Sequence, residues 1–145
     1  EWQVAARSVG TTYDDLPWKF GVPFTRAVDG KLYAPPCHTG RVLQFDVRSC
    51  EAFEVGPDFG TPEFKFCGAF VEASTAVLYA PPCCSRQVLE VDAAARSVQQ
   101  IGIDLRGKWG YFANFCEGKD GDLYAPPCNG RRVIRVEVQT RTVSK

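Results

Sequence analysis

The six residues Leu-Tyr-Ala-Pro-Pro-Cys occur three times in this chain, at 32–37, 78–83 and 123–128, with offsets of 46 and 45 residues. A hexapeptide copied at a near-constant interval marks a repeat architecture, in which each unit is one supersecondary element stacked on the next. Other landmarks keep the same order. Each hexapeptide is followed by an alternating apolar segment ending in an acid: Val42-Leu43-Gln44-Phe45-Asp46, Val88-Leu89-Glu90-Val91-Asp92 and Val133-Ile134-Arg135-Val136-Glu137. An aliphatic-glycine pair comes next, Val55-Gly56 and Ile101-Gly102, anticipated by Val9-Gly10. A lysine-aromatic pair opens each unit, as Lys19-Phe20, Lys65-Phe66 and Lys108-Trp109.

Each unit reads as four short strands. The first is expected around Phe20–Arg26, Phe66–Val71 and Trp109–Phe115. A turn such as Asp29-Gly30 or Asp120-Gly121, a strong hairpin signal between apolar runs, leads into Leu-Tyr-Ala as the second. The two prolines end that strand because neither can donate to a ladder. The Val-Leu-x-Phe-Asp segment alternates with period two and forms the third strand. A weaker fourth covers Ala52–Val55, Ser97–Ile101 and, by analogy, Val4–Val9.

Four strands in about 46 residues is the size of a β-propeller blade, between repeat lengths of about 40–45 and about 50. It is also the size of a β-trefoil lobe, which stands as the alternative. The expected organisation is one all-β domain with units at about 11–56, 57–102 and 103–145, and with 1–10 as a strand of a preceding or closing unit. Three blades alone form a partial ring with uncovered sheet faces. The propeller reading therefore expects further blades or a second chain, whereas a trefoil would be complete as a monomer. There is no methionine, so Glu1 is not a translation start and the chain reads as processed or partial.

At these landmarks the chain resembles a family of tandem β-propeller repeats, kelch-like in length, of algal and protist proteins. The resemblance runs through Lys65-Phe66, Gly30-Lys31-Leu32-Tyr33, Pro35, Val42-Leu43, Asp46, Val55-Gly56 and their counterparts, over essentially the whole chain. It departs at Thr75-Ala76-Val77, where a turn glycine is expected, and in the third unit, two residues longer between Lys108 and Leu123. The resemblance implies a fold and carries over no activity.

Among candidate sites, Cys37, Cys83 and Cys128 share one repeat position, with His38 and Cys84 beside two of them. Thiolates and an imidazole are zinc ligands, but no Cys-x-x-Cys pair is present, and the favoured reading is a small semi-buried residue copied with the repeat. No metal or cofactor is expected. Lys19, Lys65 and Lys108 either ring an anionic partner or, as the favoured reading has it, lay their stems on the adjacent aromatics with the ammonium in water. Tyr33, Tyr79 and Tyr124 read as packing residues. Asp46, Asp92 and Glu137 read as acceptors for backbone N–H groups in the next turn.

Recognition is expected in the variable connections before each first strand, through Tyr13, Trp18, Phe59, Phe64 and Arg106, because loops on a rigid scaffold carry binding residues. Enzyme signatures are lacking: His38 is the sole histidine, no glycine-rich phosphate loop occurs, and the acids form no compact pair. Seventeen basic against seventeen acidic residues give zero net charge, which disfavours nucleic acid or an anionic membrane as partner. No apolar run approaches the 18 or so residues of a membrane-spanning helix. Seven cysteines, an odd number, lean toward a reducing intracellular compartment. The sequence thus favours a non-catalytic protein-interaction or scaffold module, completed by further blades, a protein partner or an oligomer. The alternative is an enzyme, or a small-ligand or carbohydrate binder, using the central funnel or a trefoil site.

Overall fold

The computed structural model describes residues 8–9, 12–13, 15, 17–60, 64–105 and 112–145. Their strands form three separate four-stranded antiparallel sheets, each a simple meander within one repeat. Blade 1 comprises β1 (Thr25–Arg26), β2 (Leu32–Ala34), β3 (Val42–Asp46) and β4 (Glu51–Val55). Blade 2 comprises β5 (Val71–Glu72), β6 (Leu78–Ala80), β7 (Val88–Asp92) and β8 (Ser97–Ile101). Blade 3 comprises β9 (Cys116–Glu117), β10 (Leu123–Ala125), β11 (Ile134–Glu137) and β12 (Thr142–Ser144). No described strand pairs with a strand of another unit. The sheets meet face to face, as propeller blades do, so the trefoil alternative falls.

The first strands are shorter and later than expected. Each has two residues, and in the third unit Cys116–Glu117 lies beyond the expected Trp109–Phe115. The residues ahead of them are occupied otherwise: Ala69 N–H donates to Asn114 Oδ1 and Lys65 N–H to the Cys37 carbonyl. The expected strand at Val4–Val9 lies largely outside the described residues, and Ser8 and Val9 are not in a strand.

Two turns recur in every blade. Between the first and second strands, Gly30, Ala76 and Gly121 share a left-handed backbone (φ 80°, 62° and 83°), each donating its N–H back three residues. Between the third and fourth strands the left-handed position holds Cys50, Arg96 and Arg141 (φ 57°, 54° and 55°). The acid that closes the third strand supports that turn. Asp46 Oδ1 accepts from Arg48 N–H at 2.9 Å and Asp92 Oδ1 from Ala95 N–H at 2.9 Å. Glu137 instead accepts the Thr140 hydroxyl.

Alternation along the strands gives each blade two faces, and burial shows what each meets. Tyr33, Val42 and Val55 of blade 1 pack on Leu78, Leu89 and Val91 of blade 2. Tyr79, Val88 and Ile101 of blade 2 pack on Leu123, Ile134 and Val136 of blade 3. The aliphatic-glycine landmark sits at these seams. Gly56 and Gly102 have φ near 80°, and a Cβ on either would collide with Val98 or Val143 of the next blade. Glycine is required there both by conformation and by close approach.

Candidate functional site

One end of the blades gathers most of the residues singled out in the sequence. The chain segment before each first strand crosses the loop after each second strand, and backbone hydrogen bonds tie the two repeated motifs together. Cys37 N–H donates to the Lys19 carbonyl at 2.9 Å, and Cys83 N–H to the Lys65 carbonyl at 2.9 Å. Lys65 N–H in turn donates to the Cys37 carbonyl at 3.1 Å, linking the loop of blade 1 to the segment that opens blade 2. The lysine-aromatic and Pro-Pro-Cys landmarks are therefore two halves of one junction.

The aromatics at this end divide into two kinds. Trp18 and Phe64 occupy the same repeat position, both at positive φ (52° and 55°), and both project to solvent, with Trp18 66% exposed. Bulky residues in the left-handed region carry backbone strain, a feature that clusters at recognition sites. Phe64 also stands edge-on to His38 at 4.5 Å between ring centroids. Phe59, by contrast, packs into the seam against Phe66 at 6.1 Å. Its repeat counterpart Leu105 is buried, so Phe59 serves the core as well as the loop. Tyr13 is half-buried edge-on to Phe20 at 5.8 Å, and burial followed by the charge of Glu54 raises its pKa. Arg106 and Lys108 lie outside the described residues.

The lysines do not form a solvent-facing set. Lys65 is 1% exposed, contrary to the expectation of an ammonium in water, and its Nζ reaches the His38 carbonyl at 3.5 Å. Burial lowers its pKa, while Asp58 and then Cys37 act in the opposite direction. Lys19 is half-buried. The repeated cysteines also differ: Cys37 and Cys83 are each 2% exposed, whereas Cys128 is exposed. Among the described residues no three His, Cys, Asp or Glu side chains gather as a metal site. Cys67, which belongs to no repeated cysteine position, is exposed and its Sγ donates to the Phe64 carbonyl at 3.8 Å; Cys83 and then Cys37, against partial burial, bring its pKa down to about 7. Sequence reasoning passed over it, although its departure from the repeat was the available signal.

At the opposite end, a groove of about 610 Å³ opens between blades 1 and 2. Asp29, Lys31, Tyr33 and Gln44 form one wall, with Asp92 and Arg96 on the other. Within that wall, Tyr33 donates to Asp29 at 2.8 Å and accepts from Gln44 Nε2 at 2.7 Å. Burial, then the Asp29 bond, pushes the Tyr33 phenol up to about 12. Neither the groove nor its walls were singled out in the sequence, because its residues are distributed over two repeats.

No protein-family model matches the chain, and no curated protein does. Solved structures do match. A streptogramin B lyase aligns with a TM-score of 0.65 at 17% identity, covering 89% of this chain and 41% of its own. Virginiamycin B lyase from Staphylococcus aureus aligns at 0.64 and 14%, covering 83% and 39%. Hydrazine synthase of Kuenenia stuttgartiensis aligns at 0.64 and 18%, covering 99% and 38%. These are β-propeller proteins, and at such identities the likeness is one of fold. The chain has the fold of three successive propeller blades and spans about two fifths of the length of the structures it matches.

Proposed function

We propose that this chain is a non-catalytic propeller segment acting as a protein-interaction or scaffold module, whose two terminal blade faces receive further blades. The observation that carries the reading is one repeat position. Val42 and Val88 are 0% exposed beneath the following blade, while their counterpart Val133 in blade 3 is 48% exposed. The other end repeats the pattern: Leu78 and Leu123 are 0% exposed, as are Val91 and Val136 within 1%, yet Leu32 and Phe45 of blade 1 are only half-buried. Phe45 also stands 6.0 Å from Phe24, which is 43% exposed. Residues with the chemistry of a seam, left uncovered at both ends, support docking of propeller sheets of the same kind. Covering one valine contributes about 1.5–3 kcal/mol.

Sedimentation of the purified chain across a concentration series tests this. The expected result is association that Val133→Asp weakens with little change in thermal stability, since Val133 contacts no following blade. A stable monomer, unaltered by Val133→Asp or Phe45→Asp, would overturn the reading. A second reading, binding of a small polar ligand, is supported by the groove between blades 1 and 2, with its mixed acidic and basic walls. Chemical-shift changes at Tyr33 and Arg96 on titrating free amino acids would favour it.

A further inference from the structure

A scaffold position that is filled in one seam stands open in the other. Between blades 2 and 3 the arginine of the following blade's β3–β4-type turn, Arg141, holds a carboxylate. Its guanidinium reaches Glu90 Oε1 at 3.2 Å, and Gln99 Nε2 donates to the same oxygen at 2.9 Å. Between blades 1 and 2 the turn arginine is Arg96, at nearly the same left-handed φ (54° against 55°). The residue in the place of Glu90 is there Gln44, an amide, and Arg96 and Gln44 both line the groove of about 610 Å³. That volume falls within the roughly 300–1,000 Å³ of small-molecule sites.

Arg96 has no substitute for the missing acid. In the closed seam Arg141 also holds Asp92, whose counterpart in blade 1 is Asp46. Asp46 accepts the N–H groups of Arg48 and Ser49 in its own turn. Among the described residues, the Arg96 guanidinium has no hydrogen bond or ion pair. The other polar groups of the groove are committed. Asp29 accepts Lys31 N–H at 3.0 Å and the Tyr33 hydroxyl at 2.8 Å. Asp92 accepts Ala95 N–H at 2.9 Å, and its charge is countered by Arg141 at 3.2 Å. Gln44 accepts from Lys31 Nζ at 3.4 Å and donates to the Tyr33 hydroxyl at 2.7 Å. What the groove has to spare is therefore donors, those of Arg96 above all. A guanidinium pairs with a carboxylate through two parallel N–H bonds. Val55, Val91 and Val98 give the same groove an apolar lining.

We propose that the groove between blades 1 and 2 binds a small molecule through a carboxylate, which takes on Arg96 the place that the Glu90 side chain takes on Arg141. The proposal rests on the ligand-binding reading of the groove and names the group by which the ligand is held. The closed seam supplies the precedent within the same chain, since the Glu90 side chain is itself a carboxylate on an aliphatic stem. In the open seam a ligand's aliphatic part would lie along the three valines.

The test is a titration of the full chain, followed by backbone amide chemical shifts, with leucine, N-acetyl-leucine and leucinamide. The first two carry a carboxylate and the third does not. Leucine and N-acetyl-leucine should shift Ala94, Arg96 and Ser97, and leucinamide should leave them in place. Arg96→Ala should weaken N-acetyl-leucine binding at least about tenfold, the loss expected for a charge-assisted pair. Gln44→Glu should abolish it, because the chain's own carboxylate then occupies Arg96. Circular dichroism of each variant confirms that folding is retained, and the three probes on the unaltered chain supply the comparison where a variant fails to fold. Leucinamide binding as tightly as N-acetyl-leucine, or Arg96→Ala binding unchanged, would overturn the proposal while leaving the groove a site for polar ligands. No shift with any of the three probes would overturn both.

Discussion

At the seam between blades 2 and 3, Arg141 reaches back from the β11–β12 turn to Glu90 and Asp92, with 3.2 Å to each carboxylate. Glu90 is 1% exposed and also accepts from Gln99 Nε2 at 2.9 Å. At the seam between blades 1 and 2, Arg96 holds the same left-handed turn position, but the residue in the place of Glu90 is the neutral Gln44. That seam carries the 610 Å³ groove. The apolar part of the two seams is alike, including the glycine-on-valine contact. The difference lies in one polar layer at the turn end of the blades. The same scaffold position thus gives a closed, charge-bridged junction in one place and an open, polar-walled one in the other.

The largest expected effect comes from breaking the closed seam. Arg141→Ala removes the cation facing a carboxylate that is almost wholly buried, and an uncompensated buried charge is costly. Because Arg141 itself is 45% exposed, the loss should be about 2–3 kcal/mol, read by urea unfolding. Arg96→Ala should cost well under 1 kcal/mol, since no buried acid occupies the equivalent place. Equal losses from the two variants would dissolve the distinction between the seams. Gly56→Ala and Gly102→Ala test what the seams share. Each adds a Cβ at positive φ directly against a valine, so both should lose about 2 kcal/mol by the same measurement. A loss confined to one would mean that the backbones are not packed alike.

The landmarks legible in the sequence are those that make one blade or one seam. The period-two alternation of Val42–Asp46 placed β3, and the proline pair placed its loop, because both act locally. Thr75-Ala76-Val77 lacks the glycine that a turn at this place favours, yet Ala76 adopts the same left-handed backbone as Gly30 and Gly121. The neighbouring strands impose a conformation that alanine disfavours. Ala76→Gly should therefore raise stability by about 0.5–1 kcal/mol, seen as a higher denaturation midpoint at unchanged slope. What could not be read was the meeting of different repeats. The burial of Lys65 and the Arg141–Glu90 pair both depend on distance between residues far apart in sequence. A repeat pattern says that positions are equivalent, but not which neighbour covers each. Phe59 and Trp18 show the same limit from the other side: both are aromatics in variable connections, and only packing sends one into the seam and leaves the other in solvent.

The smallest expected effect is also the sharpest test of the comparison. Gln44→Glu places in blade 1 the acid that blade 2 carries at position 90, opposite an arginine already in the corresponding turn. The change also removes one hydrogen bond, because Gln44 Nε2 donates to the Tyr33 hydroxyl and a carboxylate cannot. The Tyr33 hydroxyl, which now donates to Asp29, could then donate to either carboxylate. A half-exposed ion pair with Arg96 contributes about 0.5 kcal/mol, part of it offset by the lost bond. The net gain should be a few tenths of a kcal/mol at low salt and vanish at high salt, while Gln44→Glu combined with Arg96→Ala keeps only the share owed to Lys31, whose Nζ already donates to Gln44 Oε1 at 3.4 Å. A gain undiminished in the double variant would assign the closure of a seam to something other than the pair of positions 44 and 96.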